Sequence, residues 1–261
     1  MAGINRIWNI LDMVRKGRRN MSMHIGEYSF TTLYFFLKGC QTCAEVYEGR
    51  KFEFLAGFDE FVHNQYPESK EEGYYNIIRS VCTDEEDAID KFNDLLDEFL
   101  KIQPPEIQHL YEKQEVMLLE LTPEQEQKAM DDTWKLFYEI KKDPEKYLGK
   151  PSLKLLDSFL LGLIFYIDPY YFLAGMHKYV RIKYQDLSDY GVAGIVRNVC
   201  ESDEEAFYKF YDLAEEFSEA EKTDPKVAKY KEDPLAKDIE WEAFYKFDDL
   251  VEEFPEEKDK S

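Results

Sequence analysis

The chain repeats itself, and the repeat limits what it can fold into. Phe54-Leu55-Ala56-Gly57 recurs as Phe172-Leu173-Ala174-Gly175, and the register then holds without a gap through Phe99 and Phe217. Of the 46 positions so aligned 19 are identical, whereas unrelated sequences of ordinary composition match at roughly one position in fifteen to twenty. Such self-similarity marks a duplicated structural unit. The retained pairs include Gly73 with Gly191, Arg79 with Arg197, Val81 with Val199, Cys82 with Cys200, Phe92 with Phe210 and Leu95 with Leu213. Upstream the copies align more weakly. Trp8 pairs with Trp134, and Gly26 followed by Ser29 pairs with Gly149 followed by Ser152.

A third echo lies near the C-terminus. Glu204 to Phe217 matches Trp241 to Phe254 at 11 of 14 positions, so only the last helix of a unit was copied again. A helix of that length is marginal alone in water, and it needs a surface or a partner. The expected organisation is a first repeat unit at 1–103, a linker at 104–127 entered through Pro104-Pro105, and a second unit at 128–218. A charged connector with the extra helix fills 219–261.

The apolar positions Ala88, Phe92, Leu95, Leu96 and Phe99 form one stripe of a 3.6-residue helix. Burying its two phenylalanines and two leucines stabilises a unit by ~6 to 12 kcal/mol before entropy is charged. Thr83 with Glu86, and Ser202 with Glu205, read as capping boxes at the starts of the two terminal helices. Further helices are expected at 5–16, 30–47, 54–65, 133–141, 153–167 and 172–184. The runs 74–82 and 192–200 fit helix or strand by period alone, with helix favoured. The fold class expected is all-α, with minor β open: two homologous helical domains in tandem plus the extra helix.

The chain of 261 residues is 44% hydrophobic and 16% aromatic, enough to build packed cores and not the composition of a disordered segment. Acidic residues outnumber basic ones 55 to 33, for a net charge of -22. Such a surface repels phosphate backbones and attracts basic partners, so direct binding of nucleic acid is not expected. The first residues lack the pattern of a secretory leader. The most apolar run, 159–167, is far shorter than the ~20 residues that span a bilayer. Four cysteines without a disulfide framework fit a reducing compartment. A cytoplasmic protein without membrane association is expected.

Chemistry-bearing motifs are scarce. Cys40 and Cys43 form a lone CxxC with no second pair and no counterpart in the other copy, so small packing side chains are expected in place of a redox or zinc site. Cys82 and Cys200 are expected as buried core thiols. His24, His63, His109 and His177 are scattered, and no phosphate-binding, dinucleotide-binding or nucleophile-elbow signature occurs. No enzyme activity, catalytic residue, metal or cofactor is expected.

What recurs is carboxylate. Asp84, Glu85, Glu86, Asp87, Asp90, Asp94, Asp97 and Glu98 in the first copy answer to Asp203, Glu204, Glu205, Asp212, Glu215 and Glu216 in the second. The echo adds Asp248, Asp249, Glu252 and Glu253. Such a face suits a basic protein partner, since complementary charge speeds encounter and sets specificity; a merely hydrated helix face is the alternative. The partner-binding candidates are Asp84, Glu85, Asp87, Asp90, Asp94, Asp97, Asp203, Glu204, Asp212, Glu215, Asp248, Asp249 and Glu252.

Two segments carry a resemblance. Lys141-Lys142-Asp143-Pro144-Glu145-Lys146-Tyr147-Leu148-Gly149-Lys150-Pro151-Ser152-Leu153 is similar to an Arg-Pro-x-Met-Tyr-Leu-Gly-x-x-Ser-Leu element, with Asp143-Pro144 where that element has Arg-Pro. Glu204 to Phe217, and more loosely Glu86 to Phe99, match Glu-Glu-Ala-Phe-x-x-Phe-x-x-Leu-x-x-Glu-Phe. Together they resemble small acidic bacterial proteins of immunity type, associated with polymorphic toxins. The resemblance implies an inhibitor that binds and neutralises a cognate toxin in the cytoplasm. Two other readings stand beside it: an acidic mimic of nucleic acid that occupies a nuclease or DNA-binding protein, and an enzyme with an unfamiliar site.

Overall fold

The computed structural model describes residues 29–48, 55–104, 122–166, 173, 175–186 and 191–232. Among them the chain forms α-helices and one 3-10 turn and no strand, so the all-α expectation holds and both ambiguous runs are helical. In chain order the helices are α1 (Phe30–Glu48), α2 (Phe58–Gln65), α3 (Gly73–Val81), α4 (Glu85–Lys101), α5 (Pro123–Lys142), α6 (Pro144–Leu148), α7 (Leu153–Tyr166), α8 (Met176–Tyr184), α9 (Val192–Asn198), α10 (Asp203–Thr223) and α11 (Pro225–Ala228). The expected helix at 5–16, the apolar run at 116–121 and the echo at 241–254 lie outside the described residues.

The chain divides into two compact units, Met1–Pro169 and Tyr170–Ser261. That boundary falls after α7, inside the second repeat as the sequence delimits it. The physical reason is the packing of α1 against α7, the most extensive helix pairing in the first unit. Both helices start on a serine in the same register. Ser29 accepts from the Thr32 amide at 3.3 Å and Ser152 from the Leu155 amide at 3.2 Å. The Leu33 and Leu156 amides bond to the carbonyls of those serines at 3.0 Å. This is N-capping at equivalent positions of the two copies.

Helix α7 buries Leu153, Leu155, Leu156, Ser158, Phe159, Leu160 and Leu163, nearly all round its axis, as an apolar helix must. It approaches α1 through glycine. A Cβ on Gly39 would run into the Phe159 carbonyl oxygen and lie 3.0 Å from its carbonyl carbon; one on Gly162 would run into the Phe36 carbonyl oxygen and lie 2.9 Å from its carbon. No other residue lets the two backbones come so close. Lys38 anchors the same helix elsewhere, donating to the Tyr147 carbonyl at 2.6 Å.

In the first unit, α2, α3 and α4 close an aromatic core with α1. Phe58 meets Phe92 at 5.7 Å and Phe99 at 5.3 Å, and Phe30 meets Phe92 at 5.5 Å. Tyr34 stacks on Tyr75 at 4.1 Å. In the second unit α10 packs on α8 and α9 and buries Ala206, Phe207, Phe210, Tyr211, Leu213, Ala214 and Phe217. The two copies repeat small details: α2 and α8 each follow a left-handed glycine, Gly57 at φ 82° and Gly175 at φ 84°. Phe61 leans on Phe99 at 5.5 Å and 56°, and Tyr179 on Phe217 at 5.5 Å and 52°.

Some boundaries differ from expectation. Helix α5 begins at Pro123, so the last residues of the expected linker are helical; proline is favoured in the first turn, where its missing N–H costs nothing. The expected connector after residue 219 starts as ordered structure. Helix α10 continues to Thr223, Asp224 caps α11 through the Lys226 amide at 2.8 Å, and Val227 is buried. Lys178 then lies over the Tyr230 ring at 5.2 Å.

Candidate functional site: carboxylate faces of the terminal helices

Among the candidate carboxylates, Asp84, Glu85 and Asp87 bond at the start of α4, and most of the others are exposed along the terminal helices. Asp84 is the N-cap of α4 and accepts from the Asp87 amide at 2.9 Å, while Asp87 accepts from the Thr83 amide at 2.9 Å. The capping box expected at Thr83 and Glu86 is thus one residue out. The repeat explains the shift, because Asp84 and Asp87 stand opposite Ser202 and Glu205 in the duplicated register. There the expected cap is present: Ser202 accepts from the Glu205 amide at 3.1 Å, and Glu205 reaches back one residue past the cap to accept from the Glu201 amide at 2.8 Å.

Glu85 has a larger internal role. Its carboxylate accepts from the Ser29 hydroxyl at 3.0 Å, the Thr31 amide at 2.9 Å and the Thr31 hydroxyl at 2.8 Å, with Arg79 3.3 Å away. Glu85 is the first residue of α4, and the amide it binds is in the first turn of α1. One anion therefore serves two positive helix ends that would otherwise repel. Burial pushes its pKa up, but the bonds from Thr31 and Ser29 and the charge of Arg79 outweigh it and hold the carboxyl below its usual range.

The remaining first-copy candidates, Asp90, Asp94 and Asp97, are exposed, and Glu86 and Glu98 beside them are exposed as well. Steps of three and four residues place them along one outer stripe of α4, opposite the buried Ala88, Ile89, Phe92, Leu95, Leu96 and Phe99. From Glu86 to Glu98 that stripe is ~18 Å long. In the second copy Glu204, Asp212 and Glu215 are exposed on α10, and Asp203 is half-buried. Asp248, Asp249 and Glu252 lie outside the described residues.

Glu216 departs from the pattern of its counterpart Glu98. It accepts from the Tyr179 hydroxyl at 2.6 Å and pairs with Lys183. Those bonds hold the Glu216 carboxyl low, and burial together with Glu216 pushes the Tyr179 hydroxyl up to about 12. Phe61 and Gln65 stand where Tyr179 and Lys183 do, so the first copy cannot form this cluster.

Other candidate chemistry is thin. Cys40 is completely buried against the α1–α7 crossing, and burial pushes its thiol well above the usual range, which suits a packing group; the Cys43 side chain lies outside the described residues. Cys82 and Cys200 are a correction. Expected in the core, they are only half-buried, because α3 and α9 end just before them. His63 is exposed, His177 half-buried, and His24 and His109 lie outside the described residues. Among the described residues no group of His, Cys, Asp and Glu could hold a metal ion, and no helix is long and apolar enough to cross a membrane.

Comparison with protein-family models, with curated proteins and with solved structures finds no match to the chain.

Proposed function

We propose that this protein is an immunity-type inhibitor that binds and neutralises a cognate bacterial toxin in the cytoplasm, using the outer faces of α4 and α10 against a basic toxin domain. One observation carries the reading. Asp94 with Asp212, and Asp97 with Glu215, are exposed acidic residues at equivalent positions of the two copies, as are Glu86 with Glu204 and Glu98 with Glu216. Solubility requires charge but not position. A charge-matched partner would read the same charges in both copies, since complementary charge accelerates encounter and sets specificity.

The test is co-expression with the toxin encoded beside the gene, with affinity capture of the complex. Growth should be rescued, and Asp94→Lys with Asp212→Lys together should abolish both rescue and capture. Absence of any stable protein partner sinks the proposal. A partner that is a nuclease, released by added DNA, would make the acidic faces a phosphate mimic.

A further inference from the structure

Val81 and Val199 stand at equivalent positions of the two copies, and both are about half exposed, at 46% and 49%. Among the described residues no other large apolar side chain is exposed in both copies. Each valine closes a helix, α3 in the first unit and α9 in the second, and each is followed by a half-buried cysteine, Cys82 or Cys200. A polar stripe starts beside this corner. The charges of Asp87 and Lys91 act on the Cys82 thiol, and those of Glu205 and Lys209 on the Cys200 thiol. Asp87, Lys91, Asp94 and Glu98 step by four, three and four residues, as do Glu205, Lys209, Asp212 and Glu216, so each set runs along one stripe of its helix. Lys91 with Lys209, Asp94 with Asp212 and Glu98 with Glu216 are identical. The copies thus share a surface that opens on a valine and continues along an acid-rich stripe, ~16 Å from Asp87 to Glu98.

We propose, resting on the inhibitor reading above, that these two corners are the apolar anchors of the toxin-binding faces. Each takes an aliphatic side chain of the toxin at its valine, with a lysine or arginine of the toxin opposite Asp94 or Asp212 further along the stripe. A single exposed valine needs no explanation; here it recurs with the same charges at both corners.

Charge selects the occupant. Each valine is followed within six residues by four carboxylates, which disfavour an acidic segment or a phosphate backbone, and a net charge of -22 disfavours a second copy of this chain. A cationic surface with an aliphatic side chain meets both requirements, an apolar centre with charge matched around it. In the second copy Glu216 is already held by Tyr179 and Lys183, so the cation seat that the copies have in common is Asp94 and Asp212.

The experiment titrates the full chain with the purified toxin domain encoded beside the gene. Val81→Ser with Val199→Ser together should weaken binding roughly ten-fold, the effect of withdrawing two half-exposed valines from an apolar contact. Hydrogen exchange on the native chain gives a readout that no substitution can disturb: amide protection over 80–87 and 198–205 should rise when the toxin is bound. Toxin binding by the double valine variant at native affinity overturns the proposal, and so does exchange at both corners that the toxin leaves unchanged. Protection that grows in the chain alone as its concentration rises would seat a second copy there and overturns it as well. In each of these cases loss of capture by Asp94→Lys with Asp212→Lys still upholds the inhibitor reading, whereas a toxin that does not bind the native chain sinks both.

Discussion

Gly39 and Gly162 occupy reciprocal positions on two crossing helices, each with its backbone against the residue three places before the other. Gly39 meets Phe159, and Gly162 meets Phe36. The atoms that a methyl group would strike are main-chain carbonyls, which cannot rotate away as a side chain can. Overpacking costs about 1–3 kcal/mol, while alanine regains about 1 kcal/mol of helix propensity over glycine. Gly39→Ala and Gly162→Ala should each therefore lower stability, by up to about 2 kcal/mol in chemical denaturation. The double variant should lose less than the sum, because one separation of the helices relieves both clashes.

Glu85 makes the first unit sensitive to acid. A carboxyl with a folded-state pKa below its ordinary 4.5 contributes stability that is complete above pH ~4.5 and is lost as the pH falls through the folded value. Glu85→Gln should cost about 1–2 kcal/mol at pH 7, since hydrogen bonds to charge are stronger than neutral ones but this group is partly exposed. The gap between the native chain and the variant, followed by urea unfolding from pH 7 to pH 3, should close. A gap that persists at pH 3 would show that the charge is not what matters.

The ring contact shared by Phe61–Phe99 and Tyr179–Phe217 separates packing from polar chemistry at one position. Tyr179→Phe restores the first-copy residue, removing the bond to Glu216 and keeping the ring. Surface polar pairs of this kind contribute about 0–1 kcal/mol, so the variant should lie within that of the native chain. Tyr179→Ala, which leaves Phe217 uncovered, should be worse by at least about 1 kcal/mol. Thermal melts of both variants check this.

Caps give the repeat a common energetic signature. Asp84→Ala and Ser202→Ala should each cost about 0.5–2 kcal/mol, with Asp84 at the upper end because its helix also depends on Asp87. Equilibrium unfolding of the two variants tests whether the copies behave alike.

Much of this architecture is legible in sequence because it is written in period and repetition. The expected helix at 30–47 is α1 almost to the residue, and 153–167 is α7, since long apolar runs flanked by Ser29 and Ser152 have few other ways to fold. The stripes of α4 and α10 are buried as their spacing implies. What stayed hidden depends on neighbours distant in sequence. Nothing local marks Gly39 or Gly162 as a crossing point, because a glycine in an apolar helix looks only like a weak helix former. Glu85 reads as one more surface acid until α1 is placed beside it. The cap at Asp84 was within reach, for aligning the copies sets it against Ser202, a stronger guide than the Thr83 hydroxyl. For the outward carboxylates, the sequence supplies position and the fold adds exposure.

The sealed thiol of Cys40 beside the glycine crossing makes a built-in clock. Cys82 and Cys200 are partly exposed to an alkylating reagent, whereas Cys40 can be reached only when α1 and α7 part. Its rate of labelling, read by mass, would report how often the heart of the first unit breathes. Any ligand that clamps those helices together would slow that rate without touching the sulfur.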